Sequence, residues 1–418
     1  MRTPLGAFIV VVIMLLLDYY VFVAIRSVSS NAGARTRTIL YTIYWILSLA
    51  AIAGFLVFVF TGTDVFPKKV RTYLFAVIIA LFMAKFVSIV FFIADDIRRL
   101  LQWAGSKFIF SRTEASQMSD VHIDRSVFLS WLGLAAGSTL FGSLIYGFSN
   151  KYNYTTKKVR IPFDNLPAGF EGLKIVHFSD VHAGSFTNKK AVEHGVQMIM
   201  DERPDLVIFS GDLVNDRATE MDDYIDVFSK IKAPMGVFST FGNHDYGDYA
   251  QWPYNGISKT QNLVNLAAVH KKLGWKLMMN EYVALERNGD EIALIGVENW
   301  GAKARFPKFG DMKKATAGTD NYPFKILISH DPSHWDAQIR PHYSDIDLTL
   351  SGHTHGMQFG VDIPGFHWSP VQYIYKQWKG LYEEGKQKLY VNTGFGFIGY
   401  PGRVGILPEI TVIELARG

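Results

Sequence analysis

The sequence predicts a four-helix membrane region followed by a layered α/β domain in which two β-sheets pack face to face with helices outside. Three observations carry that expectation. Four apolar runs near the N-terminus are each about as long as the roughly 20 residues that a bilayer-spanning helix requires. Beyond residue 150 the texture changes to short β-branched or aromatic runs. Each run stops at Gly, Asp, Asn or His, with helical and hairpin patterns between, and such alternation builds a layered α/β domain.

The composition agrees. With 418 residues, 49% of them hydrophobic, and a mean hydropathy of +0.11, the chain is too apolar for one ordinary soluble domain. The apolar runs are Leu5 to Ile25, Ile39 to Phe60, Tyr73 to Ile93 and Phe128 to Phe148. A cleaved signal peptide is disfavoured because the first run is long and three more follow. Asp18 is the intramembrane charge that stands out, and a helix-packing hydrogen bond is its first explanation. One charge and no broken paired helices make a transporter or sensor a remote alternative. Residues 1–150 are thus read as a multi-pass membrane region of a bacterial inner-membrane type. Arginines between spans one and two (Arg26, Arg35, Arg37) and between three and four (Arg98, Arg99, Arg112, Arg125, with Lys107) outweigh Arg2, Lys68, Lys69, Arg71 and Lys151. By the positive-inside rule this favours an extracytoplasmic position for the C-terminal domain.

Residues 151–170 read as a polar linker with an edge strand at Lys158 to Phe163, and residues 171–418 as the soluble domain. Strands are expected at Leu173 to Ser179, Leu206 to Ser210, Val237 to Thr240, Ile292 to Val297, Phe324 to Ser329, Leu348 to Ser351 and Leu389 to Asn392. Helices are expected at Lys189 to Asp201 and around Leu263 to Leu273, and Asn288-Gly289 signals a hairpin turn. A net charge of only +4 with no basic stripe interleaved with aromatics argues against a nucleic-acid partner. The absence of cysteine removes disulfides, thiolate nucleophiles and thiolate metal sites, so any metal must use nitrogen and oxygen ligands.

Five motifs fall just after expected strands, where α/β folds place ligands. They are Asp180-Val181-His182, Gly211-Asp212, Gly242-Asn243-His244-Asp245, the lone His330, and Gly352-His353-Thr354-His355-Gly356. Each alone is a weak signal, because a strand-end histidine is usually an ordinary hydrogen-bonding residue. Together and in order they supply enough nitrogen and oxygen ligands for two divalent metal ions such as Mn, Fe or Zn.

These residues resemble the calcineurin-like metallophosphoesterase superfamily, whose run D-x-H, G-D, G-N-H-[DE], H, G-H-x-H is matched from about residue 158 onward. The four leading spans, with Ser179-Asp180-Val181-His182 and Gly352 to Gln358, are similar to the branch of transmembrane proteins with a metallophosphoesterase domain. That branch is linked to UDP-2,3-diacylglucosamine hydrolysis. Met357 and Asn215 depart from the branch at positions that are not ligands. The resemblance implies that Asp180, His182 and His355 hold one metal and Asn243, His330 and His353 the other, with Asp212 bridging. It implies that His244 faces the substrate as proton donor or charge stabiliser and that Asp245 orients its ring. Two adjacent cations polarise a phosphoryl group and activate water for in-line attack, so no serine or cysteine nucleophile is needed.

The expected activity is therefore that of a membrane-anchored hydrolase of a phosphodiester or pyrophosphate bond, in a lipid such as UDP-2,3-diacylglucosamine or a phospholipid. The alternative is a soluble nucleotide or phosphoester, with the spans as a tether. Arg403 is a candidate fork for a substrate phosphate, against a surface salt bridge. His177, inside a strand, reads as structural, and His122, His194, His270, His334, His342 and His367 lack a ligand-like setting. Between Phe366 and Tyr382, Trp368, Tyr373, Tyr375, Trp378 and Tyr382 either meet lipid or pack under the loop, the second being slightly favoured.

Overall fold

A computed structural model of the chain describes residues 4–61, 67–108, 125–303, 306 and 308–418. Arg2, Arg112 and His122 lie outside the described residues, as do the side chains of Lys68 and Lys107. The chain divides into two compact units, Met1–Tyr146 and Gly147–Gly418.

The first unit is built on α1 (Pro4–Val28), α2 (Ala34–Thr61), α3 (Lys68–Phe108) and α4 (Val127–Asn150), whose last turn belongs to the second unit. All four are long and apolar enough to cross a membrane. Large apolar side chains such as Phe8, Leu16, Ile46, Phe86 and Phe128 point outward, as they would toward hydrocarbon. Gly133 and Gly137 of α4 lie close to α3, where an added Cβ would run into Phe92 and Ala84, the small-residue packing typical of membrane helices. Asp18 is fully buried and accepts from Ser48 Oγ at 2.7 Å, while Tyr44 donates to its main-chain oxygen at 2.7 Å. It also pairs with buried Lys85 of α3, so a second intramembrane charge joins the one that stands out in the sequence. Burying either charge alone in hydrocarbon is costly, and pairing across α1, α2 and α3 offsets that cost. Arg98 and Arg99, counted above as loop charges, sit on the long α3 beside Asp95 and Asp96.

In the second unit a six-stranded sheet runs in the order β1 (Thr155–Phe163), β14 (Glu409–Arg417), β2 (Lys174–Phe178), β3 (Leu206–Phe209), β4 (Val237–Ser239) and β5 (Lys276–Leu277). A second runs β12 (Gly380–Glu384), β13 (Gln387–Val391), β9 (Leu348–Ser351), β8 (Lys325–Ile328), β7 (Asp290–Gly296) and β6 (Glu281–Arg287). A separate hairpin pairs β10 (Val361–Ile363) with β11 (Phe366–Trp368). Strand alternation explains the layers. Ile175, Leu206 and Ile208 of the first sheet and Leu294, Ile326, Ile328, Leu348 and Leu350 of the second meet in one buried cluster. Their neighbours Val176, Phe178, Val207 and Phe209 turn the other way, onto α5 (Lys189–Asp201) and α6 (Lys259–Leu273). Asn188 and Ser258 cap the two helices by accepting from the main-chain N–H groups of Ala191 and Gln261.

The segment read as a linker contributes β1, which pairs in parallel with β14 from Thr155↔Glu409 to Phe163↔Arg417. Sequence reading missed β14, β12, β5 and the β10–β11 hairpin. Asn288-Gly289 turns the β6–β7 hairpin as expected, both residues at positive φ.

Candidate metal centre

The strands β2, β3 and β4 are parallel in one sheet and β8 and β9 in the other. The residues that leave their ends converge. Main-chain bonds stitch the loops together, from Asp180 N to Gly211 O at 2.9 Å and from Gly352 N to His330 O at 2.9 Å. His330 Nδ1 donates to Ser210 O at 2.8 Å, and His353 N donates to the Asp180 carboxylate at 3.0 Å, so each sheet holds a ligand of the other.

Asp180, His182, Asp212, His353 and His355 all have positive φ, between 48° and 72°. Side chains other than glycine seldom adopt that region, and such strain gathers where a chain must aim functional groups. Glycines make room for it: a Cβ on Gly352 would strike Asp180 and Ser179, and one on Gly242 would strike Asp212.

Two clusters result, Asp180 with His182 and His355, and Asp212 with His330 and His353, the donor atoms of each lying within 4.8 Å of one another. His182 Nε2 and His355 Nε2 are 3.0 Å apart, and Asp180 Oδ1 is 3.3 Å from the latter. Asp212 Oδ2 lies 3.6 Å from His182 Nε2 and 3.2 Å from His330 Nε2, which sets this carboxylate between the two groups. Asn243 Oδ1 is 2.8 Å from His353 Nδ1. The structure thus brings together all seven residues that the motifs single out as ligands.

The site fits divalent cations. Among the described residues His330 Nε2 is buried without a hydrogen-bond partner and, with its Nδ1 already committed to Ser210, faces the Asp212 carboxylate at 3.2 Å. Burial opposes protonation of His330, yet the Asp212 and Asp180 carboxylates outweigh it and push its pKa up to about 10. Burial also lifts Asp180 to about 6 and depresses His182 to about 3. Buried carboxylates that draw a proton onto His330 while His182 stays neutral demand positive charge at this place, which nitrogen- and oxygen-ligated metals supply.

Around the centre three expectations need correction. Asp245 does not touch the His244 ring; its carboxylate accepts from the main-chain N–H groups of Asp212, Leu213 and Gly242 and so holds the two ligand loops together. His244 Nδ1 instead donates to the carbonyl of Asn215 at 2.9 Å. Arg403 neither reaches a substrate nor makes a surface salt bridge. It is fully buried, donating to the carbonyls of Thr393 and Gly394 at 2.8 and 3.1 Å, with Nη2 3.3 Å from His355 Nδ1.

Sequence reading named Tyr375 only as lipid-facing or packed under the loop; its hydroxyl is 2.8 Å from His353 Nε2 and 3.4 Å from Asp331 Oδ2. It missed Tyr249, which accepts from Asn243 Nδ2 at 3.0 Å. Asp331, next to His330 in sequence, was the visible signal for the first. Tyr375 and Trp378 are buried under the loop, whereas Ile363, Phe366, Tyr373 and Ile374 are exposed. His177, in β2, contacts Ser210 Oγ at 2.9 Å and plays the structural part expected of it.

Residues 173–357 match the family profile described as calcineurin-like phosphoesterase, and residues 1–151 the profile described as probable calcineurin-like phosphoesterase, transmembrane domain. The chain belongs to the calcineurin-like metallophosphoesterases that carry a four-helix transmembrane domain. Among curated proteins, it is 29% identical over 289 residues to the uncharacterized metallophosphoesterase YkuE of Bacillus subtilis, covering 68% of this chain and 93% of that protein. It is 30% identical over 268 residues to the Danio rerio "Transmembrane protein with metallophosphoesterase domain", covering 62% of this chain and 56% of the fish protein, so it spans just over half of that relative. A solved structure, TT1561 of Thermus thermophilus, aligns with a TM-score of 0.34 at 14% identity, covering 53% of this chain and 90% of the other.

Proposed function

We propose that this membrane protein hydrolyses a phosphodiester or pyrophosphate bond of a lipid, using two divalent metals held by Asp180, His182 and His355 on one side and Asn243, His330 and His353 on the other, with Asp212 shared. The observation that carries the reading is the placement of Asp212 Oδ2 between imidazoles of both clusters. Bound there, the metals would polarise the phosphoryl group and lower the pKa of the attacking water.

The chain's own residues do the rest. With Nδ1 donating to the Asn215 carbonyl, the His244 ring is held in the tautomer whose Nε2 is free; once protonated, Nε2–H can give a proton to the leaving oxygen. Its main-chain N–H also donates to Asp212 Oδ1 at 2.8 Å, which ties the proton donor to the shared carboxylate. His330 and His353 are oriented by Ser210 and Tyr375, contacts that keep each ring aimed as a ligand.

Support for a lipid substrate comes from the four spans and from apolar side chains near the last histidine motif. Met357, Ile363, Phe366 and Ile374 are each about half exposed. Exposed apolar groups gathered in one region mark contact with lipid or ligand. With the arginine distribution favouring export, a phospholipid or a polyprenyl-type pyrophosphate fits better than a nucleotide-linked lipid. The test is to purify the full chain in detergent, quantify bound metal, and compare hydrolysis of phospholipid, UDP-diacylglucosamine and a small chromogenic diester. Two metals per chain with a preference for lipid is the expected result. Equal rates on lipid and small diester would reduce the spans to a tether, and metal-free protein with full activity would defeat the reading altogether.

A further inference from the structure

In the first unit, where α1 ends and α2 and α4 begin, a cavity of about 850 Å³ is lined by Arg26, Arg37 and Arg125 together with Ser27, Ser30 and Thr38. Among the described residues Arg26 and Arg37 have no carboxylate within salt-bridge distance. Arg125 has one: its Nη2 reaches Asp96 at 3.2 Å. Yet its side chain is nine-tenths buried, and among the described residues its Nε and Nη1 have no hydrogen-bond partner. A buried guanidinium with two idle donors is an expensive arrangement unless something accepts from them. The first turn of α2 and the first residue of α4 line the same cavity, so two helix N-termini add partial positive charge.

We infer that this cavity is a binding site for a phosphate group, taken from the headgroup of an anionic phospholipid. Three arginines offer planar, paired donors matched to phosphate oxygens, and the hydroxyls of Ser27, Ser30 and Thr38 supply neutral donors around them. A basic pocket among membrane helices is a known physical solution for holding lipid phosphate, because desolvated charge there is neutralised by the ligand. The acyl chains of such a ligand would remain in the hydrocarbon against the apolar outer surfaces of the helices. The site is independent of the metal centre: it would stand even if that centre hydrolysed a soluble ester.

The test uses full-length protein in neutral detergent, comparing wild type with R26Q/R37Q. Arg125 is left in place because its bond to Asp96 supports the helices. Binding of phosphatidylglycerol, phosphatidylcholine and inorganic phosphate is measured by native mass spectrometry and by the shift of the unfolding midpoint. Phosphatidylglycerol is expected to bind the wild type and to lose about tenfold or more in affinity in R26Q/R37Q, with phosphatidylcholine weak on both. Inorganic phosphate that displaces phosphatidylglycerol and shows the same loss in the variant would keep the phosphate site and assign it to a soluble source. Equal binding of phosphatidylglycerol and of phosphate by wild type and a variant whose ligand-free unfolding midpoint is unchanged would overturn the proposal.

Discussion

His244 Nδ1 lies 2.9 Å from the main-chain carbonyl of Asn215, and the neighbouring Asp245 points away from the ring, into the N–H groups of the Asp212 loop. The side chain at position 215 is therefore incidental to the proposed proton donor, and that at 245 is structural. His244→Ala is expected to lower kcat by about 100-fold or more while bound metal is retained. Asn215→Asp should leave kcat within a few-fold of wild type, because the carbonyl persists. Asp245→Ala should lower the unfolding temperature and the metal content together. Assays of rate, metal content and thermal midpoint on the three variants check this, and a His244→Ala protein of full activity would remove the proposed donor.

Asp212 touches histidines of both clusters, so its loss should be felt twice. Asp212→Asn is expected to bring the metal content from two per chain to one or none, whereas His355→Ala should spare the Asn243, His330 and His353 side. Chelation should lower the thermal midpoint of the wild type. Adding back metal at about 100 times its dissociation constant restores about 2.7 kcal/mol. Elemental analysis alongside thermal unfolding distinguishes the cases.

The buried Asp18–Lys85 pair predicts a non-additive response. Removing either partner alone leaves a lone charge or an unfilled donor among apolar helices, a loss of about 3 kcal/mol or more. The double variant D18L/K85M should recover much of that loss. Thermal unfolding in detergent measures the coupling, and additive losses would show that the two charges act separately.

His270 links stability to pH. It is fully buried, with Nδ1 2.8 Å from Ser239 Oγ and Nε2 unpartnered among the described residues, and burial depresses its pKa to about 3. The unfolded chain takes up this proton near pH 6.5 and the folded chain cannot, so the contribution is intact above about pH 6.5 and declines as pH falls toward 3. Lowering pH from 7 to 5.5 should cost roughly 1 kcal/mol at this residue. His270→Gln should flatten the dependence of the urea midpoint on pH by that amount; an unchanged slope would place the pH sensitivity elsewhere.

The ligand set was legible because strand-end position and residue type are local properties, reinforced by a neighbouring glycine at Asp212, Asn243, His353 and His355. What was illegible depends on contacts between distant segments. Main-chain carbonyls leave no residue signature, so the bond from His244 to Asn215 and the cage of carbonyls around Arg403 were invisible, and Asp245 and Arg403 were given the wrong neighbours. Lys85 passed unnoticed inside an apolar run, and only the fold sets it beside Asp18 of α1. Tyr375 sits in a run of aromatics in sequence, and only folding separates it from the exposed Tyr373. β14 went unseen because its strand partners lie far back along the chain, at β1 and β2.

That last strand constrains how the protein is made. β14 runs between β1 and β2 and is hydrogen-bonded to both, so until residues 409–417 leave the ribosome the first sheet has two raw edges and the loops bearing Asp180 and Asp212 lack their final support. The second unit can then close only once residues 409–417 have emerged, while the helices before it are already threading into the bilayer. Premature stops or bulky fusions near residue 409 should consequently be recognised by quality-control proteases, even though every metal-binding side chain has been synthesised.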